Sequence, residues 1–183
     1  KNNENNDRPD YNSLVIESFE DLDLKDNLLR GIYALGFEKP SSIQQKAIRP
    51  VIDRHDLIAQ AQSGTGKTAT FCIGNLQKID TSISTVQSLI IAPTRELANQ
   101  IFNVITNLAS FTDINIAKCV GGESVRDSCD KINNKEKPAH IIVGTPGRIC
   151  DFLRRKYINA SGLKILTLDE ADECLSKGFK DQV

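Results

Sequence analysis

The chain has 183 residues, a formal net charge of −1 and an apolar fraction of 39%. This is enough for one domain burying roughly 70% of its unfolded surface. It leaves no run near the ~20 apolar residues of a membrane span, so no membrane partner is expected, and it lacks the overall positive charge of a globally basic nucleic-acid binder.

Residues 1–18 are rich in Asn and charge and are expected to be a disordered tail without function. The folded part is expected to run from 19 to 183 as a single domain. There is no methionine, and the chain is expected to be a piece of a longer protein. Five cysteines are scattered, odd in number and never in a Cys-x-x-Cys pair. That pattern gives neither a metal frame nor a disulfide frame and fits buried thiols in a reducing, cytoplasmic compartment.

Leu24, Leu28, Ile32 and Leu35 fall on one helical face, with Gly36 as the stop. Pro40 then breaks the path, and Ser41 or Ser42 can cap a second helix whose Ile43, Ala47 and Val51 face the core. Gln44 sits in its first turn. Its amide could pair with adenine N6 and N7 together, and Phe37 could stack on the ring. On local grounds alone, a solvated glutamine and a core phenylalanine read as well.

Leu57, Ile58 and Ala59 read as a short strand, followed by Ala61-Gln62-Ser63-Gly64-Thr65-Gly66-Lys67-Thr68 and a helical stretch with Cys72, Leu76 and Ile79 on one face. Strand, glycine-containing loop and helix is the layout of a phosphate-binding loop. Gly64 and Gly66 let backbone N–H groups turn inward at the positive end of a helix. Lys67 reaches the β- and γ-phosphates as a point charge, and the Thr68 hydroxyl can ligate Mg²⁺.

Three more apolar runs follow, Ser88 to Pro93, Asn115 to Val120 and His140 to Val143, each ending in a polar turn. Thr94 caps a helix with Arg95 at its start, where backbone donors and the helix dipole favour phosphate; a plain capped surface helix fits equally. Gly121-Gly122 reads as a tight turn or as a place where backbone approaches a ligand. Thr145 and Pro146 open a short helix with Arg148 in its first turn. His55 and His140 lie away from these turns and read as structural.

Lys164 to Leu168 is the last run, and it ends in Asp169-Glu170-Ala171-Asp172. Carboxylates at the end of a buried strand are costly unless a cation or donors meet them. In a phosphate-loop protein, Asp169 there can hold Mg²⁺ through water, and Glu170 can orient or deprotonate an attacking water. Lys67, Asp169 and Glu170 are therefore the candidate catalytic groups, with Thr68 and Asp169 as candidate metal ligands. Five strand–helix alternations argue for a doubly wound, parallel α/β sheet with ligands at the carboxyl ends of the strands.

With the phosphate loop and Asp169-Glu170-Ala171-Asp172 both placed, the chain resembles the first RecA-like, P-loop NTPase domain of the DEAD-box RNA helicases. The resemblance extends from Phe19 to Val183. Gly36 to Gln44 matches the family's adenine-sensing motif, with Phe19 as its upstream aromatic. Pro93-Thr94-Arg95-Glu96-Leu97-Ala98, Gly121-Gly122 and Thr145-Pro146-Gly147-Arg148 match its RNA-contact motifs in order. Leu29 to Tyr33, Gly36 to Pro40 and Gly178 to Gln182 are most similar to the translation-initiation branch.

The resemblance implies an ATP-dependent RNA helicase, seen here as its ATP-binding half. Nucleotide contacts carried over are Phe19, Phe37, Lys39, Gln44 and Ala61 to Thr68. RNA contacts carried over are Pro93, Thr94, Arg95, Gly121, Gly122, Thr145, Gly147 and Arg148, made to backbone and 2′-OH without sequence preference. Asp172 would couple to a Ser-Ala-Thr motif that lies past Val183, as does a second RecA-like domain. Implied partners are RNA, that second domain, and scaffold and regulatory initiation factors. Arginines from the second domain are worth about 10³–10⁵ in rate, so the chain alone is expected to bind nucleotide but barely hydrolyse it. An ATP-gated RNA clamp of the exon-junction type, or a small-molecule P-loop NTPase, are the alternatives. Within the resemblance, Glu123 stands where Thr is usual, the loop Asn133 to Pro138 is longer and more charged, and Cys174 replaces a common Met.

Overall fold

Four short parallel strands form the centre of the domain: β1 (Ser88–Ile91), β2 (Ile116–Cys119), β3 (Ile141–Gly144) and β4 (Ile165–Leu168), in the order β2-β3-β1-β4. The computed structural model describes residues 11, 14–62 and 64–176. Ser88 pairs with both Ile141 and Ile165, and Ile116 pairs with Ile141. The carboxyl ends of all four strands are therefore level, and the turns after them share one rim.

The period-two alternation of a strand sends neighbours to opposite faces. Ile90, Ile141 and Val143 pack into one core with Leu28, Ile32, Ile73, Leu76, Ile101 and Ile105. These come from α1 (Asp26–Ala34), α3 (Lys67–Lys78) and α4 (Arg95–Leu108), with α2 (Ser42–Ile52) joining through Ile48. Leu89, Ile91 and Ile142 pack into the other core with Ile132, Ile149, Phe152 and Cys174. Those belong to α5 (Val125–Ile132), α6 (Pro146–Arg154) and α7 (Ala171–Ser176). Helices on both faces of a parallel sheet make the doubly wound arrangement the alternation predicts. Each fully buried Leu, Ile or Phe contributes about 1.5–3 kcal/mol.

Three expectations are corrected. Residues 57–59 form no strand, Leu57 is 43% exposed and Ile58 is 100% exposed. The reason is a missing neighbour. β4 pairs with β1 alone among the described residues, and residues 57–59 lie across an open cavity from its other edge. Without a strand to take its N–H and C=O groups, an apolar run forms no ladder. The described residues thus hold four strands rather than five.

The folded part also begins earlier than residue 19. Ile16 is buried, and the Tyr11 hydroxyl donates to Asp53 Oδ2 at 3.1 Å. Residues 1–10, 12, 13 and 177–183 lie outside the described residues. Finally, α1 stops at Ala34, so Leu35 is exposed rather than core.

Cys72, Cys119 and Cys174 are buried as expected, while Cys129 and Cys150 are partly exposed. Burial pushes the Cys119 thiol up to about 12 and that of Cys72 well above its usual value, so neither is a ready thiolate. Among the described residues no helix is long and apolar enough to cross a membrane.

Candidate active site

The phosphate loop closes directly onto α3. Gly64 and Gly66 take φ of +79° and +95°, which a side chain would disfavour, and Gly66 caps the helix. The Gly66 carbonyl accepts from the Thr70 N–H at 3.0 Å and from Thr70 Oγ1 at 2.9 Å. Thr65 Oγ1 donates to the Gln62 carbonyl at 2.7 Å. Lys67 and Thr68 are the first residues of α3 and remain partly exposed. Ser63 lies outside the described residues.

The start of α2 holds this loop from beneath. Ser41 Oγ donates to the Thr65 carbonyl at 2.8 Å. Gln44 is buried, its Oε1 accepts from the Ser41 N–H at 2.8 Å, and its Nε2 reaches the Gly66 carbonyl at 3.5 Å. A Cβ on Gly66 would sit 2.7 Å from Gln44 Nε2. Gln44 therefore acts on the loop itself. From the sequence Ser41 is only a candidate helix cap; nothing local announces its bond to Thr65.

Phe37 is partly buried, with Lys39 exposed beside it. Phe19 is fully buried and meets Phe37 edge-on at 6.4 Å between ring centroids. It is placed as the support of Phe37, and the expected direct contact of Phe19 with a ligand is corrected accordingly.

At the far end of the site, the Asp169 N–H donates to the Ile91 carbonyl at 2.9 Å, carrying the β1–β4 ladder one step past the strand. Asp169 Oδ1 accepts from the Glu170 N–H at 3.1 Å. Asp169 and Lys67 line the same cavity, about 530 Å³, between α3 and β4. Burial raises the Asp169 carboxyl above its usual range, while the Glu170 N–H and the Lys67 ammonium pull it back. Glu170 has φ of +47°, an uncommon conformation for a side-chain-bearing residue. That reversal starts α7, whose Glu173 and Cys174 N–H groups donate to the Glu170 carbonyl at 2.9 and 3.0 Å. A hydrogen bond with Glu173, then burial and the neighbouring acids, raise the Glu170 carboxyl. Asp172 is exposed in the first turn of α7.

Among the described residues, no group of three His, Cys, Asp or Glu side chains could hold a metal ion. A cation here would rest on one carboxylate and one hydroxyl, with ligand phosphates completing its shell, which is the habit of Mg²⁺. Two features escaped the sequence reading. His55, read as remote, lines the cavity and packs against Tyr11. Asn75 joins the two sides of the site, accepting from Ser88 Oγ at 2.5 Å and donating to Thr167 Oγ1 at 3.0 Å. A polar residue within the Cys72–Leu76–Ile79 stripe was the available signal. His140 is structural as read: it is buried, and its Nδ1 accepts from the Asn115 N–H at 3.0 Å.

The remaining site residues gather after β1, β2 and β3. Thr94 Oγ1 accepts from the Leu97 N–H at 3.2 Å and caps α4, leaving Arg95 exposed in the first turn, with Pro93 buried behind it. The Arg95 guanidinium lies against Gly122, whose φ is +86°, and a Cβ there would collide with it. Thr145 and Pro146 start α6, with Gly147 exposed. Arg148 donates from Nη1 to the Glu123 carbonyl at 3.1 Å and lies 5.4 Å from the Phe152 ring centroid. Gly121 has open space beside it. Two arginines from different helices thus flank one exposed glycine turn, beside the Lys67–Asp169 cavity on the same rim.

The DEAD/DEAH box helicase profile matches residues 41–183. The chain is 54% identical over 169 residues to an ATP-dependent RNA helicase eIF4A of Pyricularia oryzae, covering 92% of this chain and 42% of that protein. It is 54% identical over 169 residues to a eukaryotic initiation factor 4A of Caenorhabditis elegans, with 92% and 41% covered. It is also similar to the crystal structure of a DEAD box protein from Methanococcus jannaschii, at a TM-score of 0.85 and 38% identity, covering 92% of this chain and 46% of that one. A Saccharomyces cerevisiae Dbp5 structure bound to RNA and ADP BeF3 matches with TM-score 0.79 and 40% identity, covering 91% and 41%. The chain spans about two fifths of the length of these curated relatives.

Proposed function

The chain belongs to the DEAD/DEAH box helicase family, and from that premise we propose that it is the ATP-binding half of an RNA-unwinding enzyme of the eIF4A kind, acting in the cytoplasm at translation initiation. The observation that carries this reading is one rim with two sites: Lys67 with Asp169 on a shared cavity, and Arg95 with Arg148 around Gly122. Family membership sets aside a P-loop enzyme acting on a small molecule. The names of the relatives favour translation over an exon-junction clamp.

In this reading the adenine rests by Phe37 and Gln44, and the loop from Ala61 to Thr68 wraps the phosphates with backbone N–H groups. Gln44 touches both the base and the Gly66 carbonyl, so base recognition is coupled to loop geometry. Lys67 neutralises the β- and γ-phosphates. Thr68 and Asp169 hold Mg²⁺, which supplies charge stabilisation at the phosphates. Glu170, with its carboxyl held above the usual range, orients a water and takes its proton. RNA lies along Thr94, Arg95, Gly122, Thr145 and Arg148 through backbone contacts. Asp172 faces the coupling segment, a second RecA-like domain completes the γ-phosphate site, and scaffold and regulatory initiation factors are the further partners.

The test is RNA cross-linking to this chain with and without Mg-ATP. Cross-links at Arg95 or Arg148 are expected. RNA that cross-links elsewhere, with neither arginine touched, overturns the reading.

A further inference from the structure

Glu123 stands out as an acid on the turn that the RNA reading makes a phosphate-binding edge. Its backbone and side chain are both engaged. Its carbonyl accepts from Arg148 Nη1 at 3.1 Å, and its carboxylate Oε1 meets the Lys118 ammonium at 2.6 Å. The preceding residue, Gly122, lies against the Arg95 guanidinium. Lys118 comes from β2, where its ammonium also stands 5.9 Å from the Phe102 ring centroid. Glu123 is therefore held by two cations, Arg148 at its carbonyl and Lys118 at its carboxylate, with Arg95 against the residue before it.

We propose that Glu123 is an affinity-setting brake on this edge: it sequesters Lys118, a further phosphate-binding cation, which an RNA phosphate must take from it. This rests on the RNA reading above. The Lys118 and Glu123 side chains are 26% and 36% exposed, so water reaches the pair and opening it costs little. Besides Glu123, the Lys118 ammonium stands over the Phe102 ring, a contact that does not neutralise its charge. The brake costs affinity in two ways: the carboxylate repels phosphate, and it withholds a charge.

The experiment measures binding of a labelled oligouridine to the whole chain by fluorescence anisotropy across a salt series. Glu123→Gln frees Lys118 to neutralise one more phosphate. It is expected to tighten binding about fivefold near ~0.1 M salt and to steepen the log–log salt slope by about 0.7 for a single strand. Lys118→Gln weakens binding. Adding Glu123→Gln to Lys118→Gln gives a smaller gain and no steeper slope, because the released cation is gone. An additive double variant, or Glu123→Gln with unchanged affinity and slope, overturns the brake. Arg148→Ala separates the two readings. If it weakens binding while Glu123→Gln does nothing, the brake alone fails; if Arg148→Ala leaves binding unchanged, the RNA edge fails and the brake with it. Thermal melts confirm that each variant folds.

Discussion

Lys67, at the head of α3, and Asp169, just past the end of β4, line one cavity, and the Lys67 ammonium offsets part of the burial that raises the Asp169 carboxyl. Two segments far apart in the chain therefore set the charge of a single site. Removing the Asp169 charge should have opposite effects on the empty fold and on ligand binding, whereas removing Lys67 should weaken both.

Lys67→Ala removes the cation aimed at the phosphates. A charge-assisted contact of this kind is worth about 1.5–3 kcal/mol, so Mg-ATP affinity should fall roughly 10- to 100-fold. Titration with a fluorescent nucleotide reads this. Unchanged affinity contradicts the loop assignment.

Asp169→Asn keeps the acceptor for the Glu170 N–H and removes a carboxylate that burial disfavours. Solvent screening of this half-buried group keeps the effect small, but the empty chain should gain stability, read as a higher Tm. The sign follows from the raised folded pKa. The wild-type group contributes relative stability only below the pKa of the unfolded chain, and loses it as pH rises through the folded value. The gain of Asp169→Asn should therefore be present at neutral pH and vanish when acid protonates Asp169. Melts at both pH values check this, and Mg-dependent nucleotide affinity should fall in parallel.

Gly66→Ala meets two obstacles, a φ of +95° and a Cβ 2.7 Å from Gln44 Nε2. The backbone term alone costs about 1–2 kcal/mol. Nucleotide binding should fall with stability, since Gln44 and the loop must separate. Tm and nucleotide affinity at wild-type levels would refute the clamp between α2 and the loop.

His140 is buried and its pKa is lowered, first by desolvation, with Asp80 opposing. A depressed folded pKa gives stability that is present above the unfolded value and lost as pH falls through the folded one. Wild type should lose more Tm than His140→Gln on going from above ~6.5 to acid pH. Equal losses would place the acid sensitivity elsewhere.

Much of the site was legible because its cues are local. Gly64, Gly66, Lys67 and Thr68 announce a loop through φ demands and helix-start chemistry, and Asp169-Glu170 announces itself as acid after an apolar run. Helix starts at Thr94 and Thr145 were equally readable. Phe19 was misread because an isolated aromatic has the same sequence appearance whether it faces a ligand or supports the ring that does. The run from Leu57 to Ala59 was misread because strand propensity says nothing about whether a neighbour exists. His55 was missed because the helix that ends before it turns it toward the cavity.

The amino-acid sequence by itself determined where most of the helices and strands around the site begin, which glycines must turn, and which residues carry chemistry, since these depend on periodicity and conformational preference over a few positions. Tertiary structure alone decided that β1 lies between β3 and β4, that Gln44 sits beneath Gly66, that Arg148 binds the carbonyl of Glu123, and that Glu123 holds Lys118. Those relationships join segments whose proximity is set by strand order and by burial of two separate cores, and neither quantity is written in any short stretch of the chain.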